Sequence, residues 1–241
     1  MNVNLDSKQD FLTVAKERHA VKRYDRTYRM SEDEIKELLR IASQAPSAWN
    51  LQHWHFLVVT DQASKDILLG IANGQQQVAE ASATVAILGD LQADRNAESI
   101  FEADVQAGRL SPEIKANLIL QIQGAYTNKP TWARDQAFSN ASLAAMQLML
   151  AAKAMGLDSC PMSGFNPDKL IEAFAIPDRY VPVMLVAIGK AAEPARPSVR
   201  LPAKRRFIGM GSDSRCSMPE QKSQASQYSW EVGFFLWNVF L

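Results

Sequence analysis

Apolar positions recur along this chain in two spacings, and their alternation predicts a protein of helices packed on a sheet. Between Asp10 and Lys16 the residues Phe11, Leu12, Val14 and Ala15 suit a first helix, which gives way to a basic stretch from Arg18 to Tyr24. The second helix is marked more sharply. Ser31 and Glu34 stand at capping-box spacing, Met30 and Ile35 where a hydrophobic staple closes, and Ile35, Leu38, Leu39 and Ala42 form one stripe. Ala45-Pro46 should end it. Trp54–Thr60 and Ala83–Leu88 are apolar runs of strand length, separated by a helical pattern over Ala63–Ala72.

Residues 92–128 are more polar and read as a helical excursion from the core, broken at Gly108 and restarted at Ser111-Pro112-Glu113. Leu143–Met155 is apolar almost all round, the mark of a helix buried on most faces, with Gly156 as its stop. Leu157–Met162 then leads into a turn at Ser163-Gly164, Pro167–Ala175 reads as a short helix, and Val181–Ile188 as a third clear strand. No repeat or linker divides these elements, so residues 1–202 are expected to form one α+β domain.

Composition narrows the function. The 26 Lys+Arg balance 26 Asp+Glu, so no global basic field exists to hold nucleic acid or an anionic membrane. Two cysteines, Cys160 and Cys216, lie far apart and support neither a disulfide framework nor a cysteine-rich zinc site. With no apolar run of about 20 residues and no signal-peptide pattern, the expectation is a cytoplasmic protein. His53 and His55 form a His-x-His without a carboxylate or cysteine beside them, which fits structural histidines better than a metal site. No nucleophile elbow, P-loop or dinucleotide-binding glycine motif is present.

What remains is a set of cationic and amide-bearing segments. Arg18, Lys22 and Arg23 cluster after the first helix, and Arg200 stands in the late segment Pro197–Pro202. Between them, Ala45–Trp54 is a turn rich in small and amide side chains just before a strand, able to present donors to a flat polar ligand. Each also has a plainer reading. Cations near a helix C-terminus offset its dipole, and Gln75 and Gln77 fit a solvated loop.

In order along the chain, Arg18-His19-Ala20-Val21-Lys22, Ala45-Pro46-Ser47-Ala48-Trp49-Asn50-Leu51-Gln52-His53-Trp54, Pro161-Met162-Ser163-Gly164-Phe165 and Arg200-Leu201-Pro202 resemble the four signatures of the FMN-dependent nitroreductase family. With Leu143–Gln147, the resemblance covers about residues 7–202. It implies a mixed, mainly antiparallel sheet flanked by helices, in an intertwined homodimer with two FMN sites at the interface. It also implies hydride transfer from NADH or NADPH through flavin N5 to a nitroaromatic, quinone or similar small-molecule acceptor by a ping-pong route, with no catalytic side chain and no metal.

Under that resemblance Arg18 and Arg200 grip the FMN phosphate, where a guanidinium fork matches phosphate oxygens. Lys22 sits by the pyrimidine side of the ring, with His19 and Ala20 beside it. Pro46, Ser47, Ala48 and Asn50 come from the other subunit. Gln75 and Gln77 touch the ribityl or pyrimidine side, and Met162, Ser163 and Gly164 bring backbone close to the ring. A flavin-sequestering protein, or a specialised flavin reaction on the same fold, would need the same contacts. Tyr126 and Trp132, near the excursion expected to cover the acceptor, are candidates for stacking on it or for ordinary packing.

The sequence departs from the family pattern in places. Ala20 replaces the common serine, His53 stands where proline usually precedes the tryptophan, and Ser163 replaces an acidic residue or glycine. Residues 203–241 are the largest departure: a Ser/Gln-rich span followed by an aromatic end from Trp230. A partner- or membrane-touching segment, a substituted dimer strand and a shifted reading frame each account for this tail, and its foreign composition favours the last.

Overall fold

The computed structural model describes residues 10–201, so the tail from Ala203 lies outside the described residues. Contacts set residues up to Arg196 apart from the segment beginning at Pro197, whose described part, Pro197–Leu201, has no regular structure.

The first helix, α1 (Phe11–Glu17), is capped by Asp10, whose carboxylate accepts from the Thr13 N–H at 3.2 Å. In α2 (Glu32–Ala42) the capping box is complete. Ser31 Oγ accepts from the Glu34 N–H at 3.2 Å, and Glu34 Oε2 accepts from the Ser31 N–H at 2.8 Å. These two reciprocal bonds satisfy donors that the helix itself leaves orphaned.

Among the described residues, β1 (Trp54–Val59), β2 (Ala83–Asp90), β3 (Asp158–Met162) and β4 (Tyr180–Gly189) form a sheet in the order β1-β2-β4-β3. Its neighbours are all antiparallel, with Trp54 opposite Gly89, Ala83 opposite Ile188, and Asp158 opposite Gly189. A parallel pairing occurs as the single bridge of Ala20 to Ser159.

The period of 2 divides the core between the two faces of this sheet. Ala86, Leu88, Leu185, Ala187, Cys160 and Met162 pack on one side with Leu68 of α3 (Gln62–Ile71), Val78 of α4 (Gln77–Glu80) and Leu170 of α8 (Pro167–Ala173). Val85, Ile87, Val186 and Ile188 pack on the other with α2 and α7 (Trp132–Ala154). The small residues of α7 let it lie close on the sheet. A Cβ added at Gly89 would stand 2.9 Å from Ala137 Cβ and 3.0 Å from that residue's backbone.

The central helix starts eleven residues earlier than its apolar run predicts, because its first turns are polar outside a narrow buried line through Ala137, Asn140 and Ala141. The excursion consists of a 3₁₀ turn at Ala93–Asn96, α5 (Ala97–Gln106) and α6 (Pro112–Asn128), separated at Gly108 with φ of +70°. Phe101 and Ile122 make a small core of their own around Leu51.

Candidate functional site

Two of the four signature segments, together with the Gln75–Gln77 segment, bear on β3 or the loop after it. The first lies directly alongside: Val21 N–H donates to the Ser159 carbonyl at 3.1 Å, and Ala20 bridges the same residue. This fixes Arg18, the C-cap of α1, together with His19 and Lys22 along the strand edge. Lys22 is exposed and His19 half-buried. Burial pushes the Cys160 thiol up from its ordinary range, and the nearby cations Lys22 and Arg18 pull the other way, which places their charge close to the strand. His19 Nδ1 and Ser159 Oγ are buried without a hydrogen-bond partner among the described residues. Such orphaned polar atoms are uncommon and point to a missing partner.

The second group reaches the same place from α3 and α4. Gln75 Nε2 and Asn73 Nδ2 both donate to the Gly164 carbonyl, at 2.9 and 2.8 Å. Gln77 is buried, donates to Gln75 Oε1 at 3.1 Å and stands 4.0 Å from Cys160 Sγ. The solvated-loop reading therefore fails for Gln77, which opens a short helix, while Gln75 is half-buried. Two amides thus hold the peptide after Gly164 in one orientation. Met162 is buried at the end of β3, whereas Ser163 and Gly164 are exposed. At Gly164 a Cβ would come 3.4 Å from Gln75 Nε2, so glycine keeps a cradle open there.

The Pro46–Asn50 segment is built elsewhere on the chain. Ala45 belongs to the core on the α7 face, whereas Val21, Cys160 and Met162 belong to the core on the opposite face. Ala48 N–H donates to Asn140 Oδ1 at 2.9 Å, and Gln52 N–H to Ser47 Oγ at 3.0 Å. Trp49, Asn50 and Gln52 all have positive φ, 50°, 56° and 54°. Asparagine tolerates this region, but a tryptophan there is strained, and strain of this kind concentrates at functional sites. Trp49 meets Trp132 with ring centroids 6.0 Å apart and tilted by 57°. Trp132 therefore packs on the loop, with Lys129 Nζ 4.3 Å over its ring, and Tyr126 is half-buried beside the small core of the excursion.

Arg200 lies in the segment beyond Arg196, exposed, with its guanidinium donating to the adjoining Val199 carbonyl at 3.2 Å. Two residues absent from the sequence reading support the groups above. Asn140, a buried amide in an apolar helix, holds the loop, and Asn73, in an Asn-Gly turn signal, holds Gly164.

The histidines differ in kind. His55 Nε2 lies 3.2 Å from the Tyr180 hydroxyl. His53 is fully buried, and neither ring nitrogen has a hydrogen-bond partner among the described residues. Burial lowers its pKa from 6.5 to about 4, with Asp90 opposing the shift. Asp90 itself is buried in a two-bond pair with Arg179, at 2.7 and 2.6 Å. No group of three His, Cys, Asp or Glu able to hold a metal occurs among the described residues, and no helix there is long and apolar enough to cross a membrane.

Comparison with known proteins extends this geometry. YodC of Bacillus subtilis, whose name assigns it provisionally to the NAD(P)H nitroreductases, is 52% identical over 194 residues, covering 80% of this chain and 96% of its own. The CLA biosynthesis enone reductase of Lactiplantibacillus plantarum is 34% identical over 199 residues, 81% of this chain and 92% of its own. A protein of Exiguobacterium sibiricum, solved in complex with FMN and described provisionally as a nitroreductase, superposes with a TM-score of 0.79 at 38% identity, over 84% of this chain and 98% of its own. The family model described as the nitroreductase family matches residues 15–190, a span that takes in all four strands and each of the converging segments. With a fold shared at that level and a half-identical relative matched almost end to end, this chain belongs to the nitroreductase family of oxidoreductases.

Proposed function

We propose that the chain is an FMN-dependent oxidoreductase that takes hydride from NADH or NADPH and delivers it to nitroaromatic, quinone or similar acceptors. The observation that carries this reading is the gathering of Arg18–Lys22, Gln75–Gln77 and Met162–Gly164 along β3 and the loop after it. These residues fit the cofactor. They offer cations for a phosphate and a ring edge, an open glycine, and the buried unpartnered atoms His19 Nδ1 and Ser159 Oγ.

FMN, when bound, supplies the two-electron carrier, so the chain needs no nucleophile of its own. Arg18 would hold the phosphate through charge-assisted hydrogen bonds. Lys22 would bring positive charge to the pyrimidine side of the ring, where negative charge collects on reduction. Gln75 and Asn73 fix the Gly164 peptide, and with it the backbone offered to the ring.

The Pro46–Asn50 loop completes the site in a homodimer, supplied by the second copy. Apolar exposure supports this reading: Phe11 and Leu12 of α1 and Leu143 and Met146 of α7 are 67%, 59%, 47% and 39% exposed. A stripe of this kind on a helix otherwise buried is what an obligate interface covers. A cytosolic location belongs to the same reading, as does a single domain over residues 1–202.

Steady-state oxidation of NADH and NADPH against a nitroaromatic, a quinone and an enone tests the proposal. Parallel double-reciprocal lines are expected, since donor and acceptor use one site in turn. Flavin binding without turnover of any acceptor would instead make the protein a flavin carrier.

A further inference from the structure

A second concentration of charge lies away from the residues assigned to FMN. A cleft of about 250 Å³ opens between α3, α4 and the turn that carries Arg26 and Arg29. Lys65 lines it although only 2% of that residue is exposed. Its Nζ donates to the carbonyls of Ala81 and Ser82, at 2.6 and 3.0 Å. These bonds take two of the three ammonium donors. Burial holds this ammonium below its ordinary pKa, and the Arg29 guanidinium adds repulsion in the same direction.

Of the two acids lining this cleft, Glu80 is already committed. Glu80, nearly buried, binds Arg23 at 3.2 Å and Arg26 at 2.7 Å and accepts from the Tyr24 N–H at 3.3 Å. Asp66 is exposed and takes the Gln62 amide at 2.8 Å. Asp66 keeps its charge against that neutral amide, and Asp61 acts on Lys65 from the same helix end, so the cleft's cations Arg26, Arg29 and Lys65 outnumber its lining carboxylates Asp66 and Glu80 by one. Two cations held around a polar cavity repel each other, and an oxyanion between them replaces that repulsion by two charge-assisted contacts. The size sets the class of ligand. The cleft lies just below the usual range for drug-sized ligands, roughly 300–1,000 Å³, which suits a phosphate or a small phosphorylated metabolite and not a dinucleotide.

We propose that this cleft is an anion site that takes a phosphate group between Arg29 and Lys65, either as inorganic phosphate or as the end of a small phosphomonoester. Gln75 and Gln77 do not line it, although Gln76 between them does, and no other residue of the segments assigned to FMN reaches it. The proposal stands apart from the flavin reading, since a protein that took no flavin could still show an Arg29-dependent site.

Isothermal titration of the full chain with inorganic phosphate, and separately with glycerol 3-phosphate, tests it. The protein is first saturated with FMN and the unbound FMN, itself a phosphomonoester, is removed, so that phosphate recognition at Arg18 is masked without competition at the cleft, and ionic strength is held constant with chloride. Saturable binding of at least one ligand is expected, at least tenfold weaker in Arg29→Ala and retained in Arg18→Ala. Tighter binding of the ester identifies a phosphomonoester as the natural ligand, and equal or weaker binding identifies free phosphate. Gln62→Ala, at an exposed position on the rim, should weaken binding less than Arg29→Ala without threatening the fold. Absence of saturable heat from both ligands, identical binding by Arg29→Ala and the unaltered protein, or loss of binding in Arg18→Ala would overturn the proposal.

Discussion

His53 gives the protein a pH dependence that can be worked out in advance. The ring is fully buried, neither nitrogen is hydrogen-bonded among the described residues, and its pKa falls from 6.5 to about 4. In the unfolded chain the imidazole takes up a proton near its ordinary pKa, whereas in the folded chain it resists until about pH 4. Between those values the unfolded state binds more protons, so stability rises with pH. It is fully present above pH 6.5 and is lost as pH falls toward 4. The whole shift corresponds to about 3 kcal/mol, of which about 2 kcal/mol is lost between pH 7 and 5. Urea unfolding at fixed protein concentration, at several pH values across that window, measures it. Carboxylates with lowered pKa, such as Glu34 and Glu80, also lose stability in acid, so the informative quantity is the difference from a variant without the ring. His53→Leu should flatten the dependence by about 2 kcal/mol over that window, and at pH 7 it should be no less stable, because it removes two unpaired buried polar atoms. Parallel loss of stability in the two proteins, or an NMR titration of His53 near pH 6.5, would refute the reasoning.

Other consequences follow from close contacts and buried charge. Gly89→Ala drives a methyl into Ala137 at 2.9 Å, so β2 and α7 must separate, with an expected loss of about 1–3 kcal/mol in thermal or denaturant unfolding. Asp90→Ala leaves Arg179 beside a buried void without its carboxylate and should cost about 3–5 kcal/mol, while the double variant with Arg179→Met recovers part of that loss in a double-mutant cycle. Gly164→Ala crowds Gln75 Nε2, and a fluorescence titration should show weaker FMN binding with little change in melting temperature. Lys22→Met should lower both FMN affinity and the flavin reduction potential, read by equilibrium titration against a reference dye.

Local chemistry made some elements legible from the residues alone. The capping box of α2 was readable because Ser31 and Glu34 act on each other over three positions, and β1, β2 and β4 because their runs are mostly apolar, broken only by single residues such as His55 and Thr84. The first half of α7 was not, since Arg134, Asp135, Gln136 and Ser139 surround its thin buried line. The strand β3 read only as the approach to a turn, because Asp158, Ser159 and Pro161 blur a run of five residues whose partner is β4. The candidate site was legible as ordered segments through family resemblance. Their assembly was not, because the Val21–Ser159 and Gln75–Gly164 contacts join residues 138 and 89 positions apart. That Gln77 is buried, and that Asn140 pins the Pro46–Asn50 loop, depends on tertiary packing no periodicity records.

The flavin itself offers the most direct test of the account. Visible absorption of the purified full chain, reconstituted with FMN if needed and then titrated anaerobically with NADH and NADPH separately, reads cofactor and donor together. Retained flavin bands that bleach on addition of one of the nucleotides are the predicted result. A colourless protein that takes up no FMN on reconstitution, or bound flavin that neither nucleotide reduces, would contradict it.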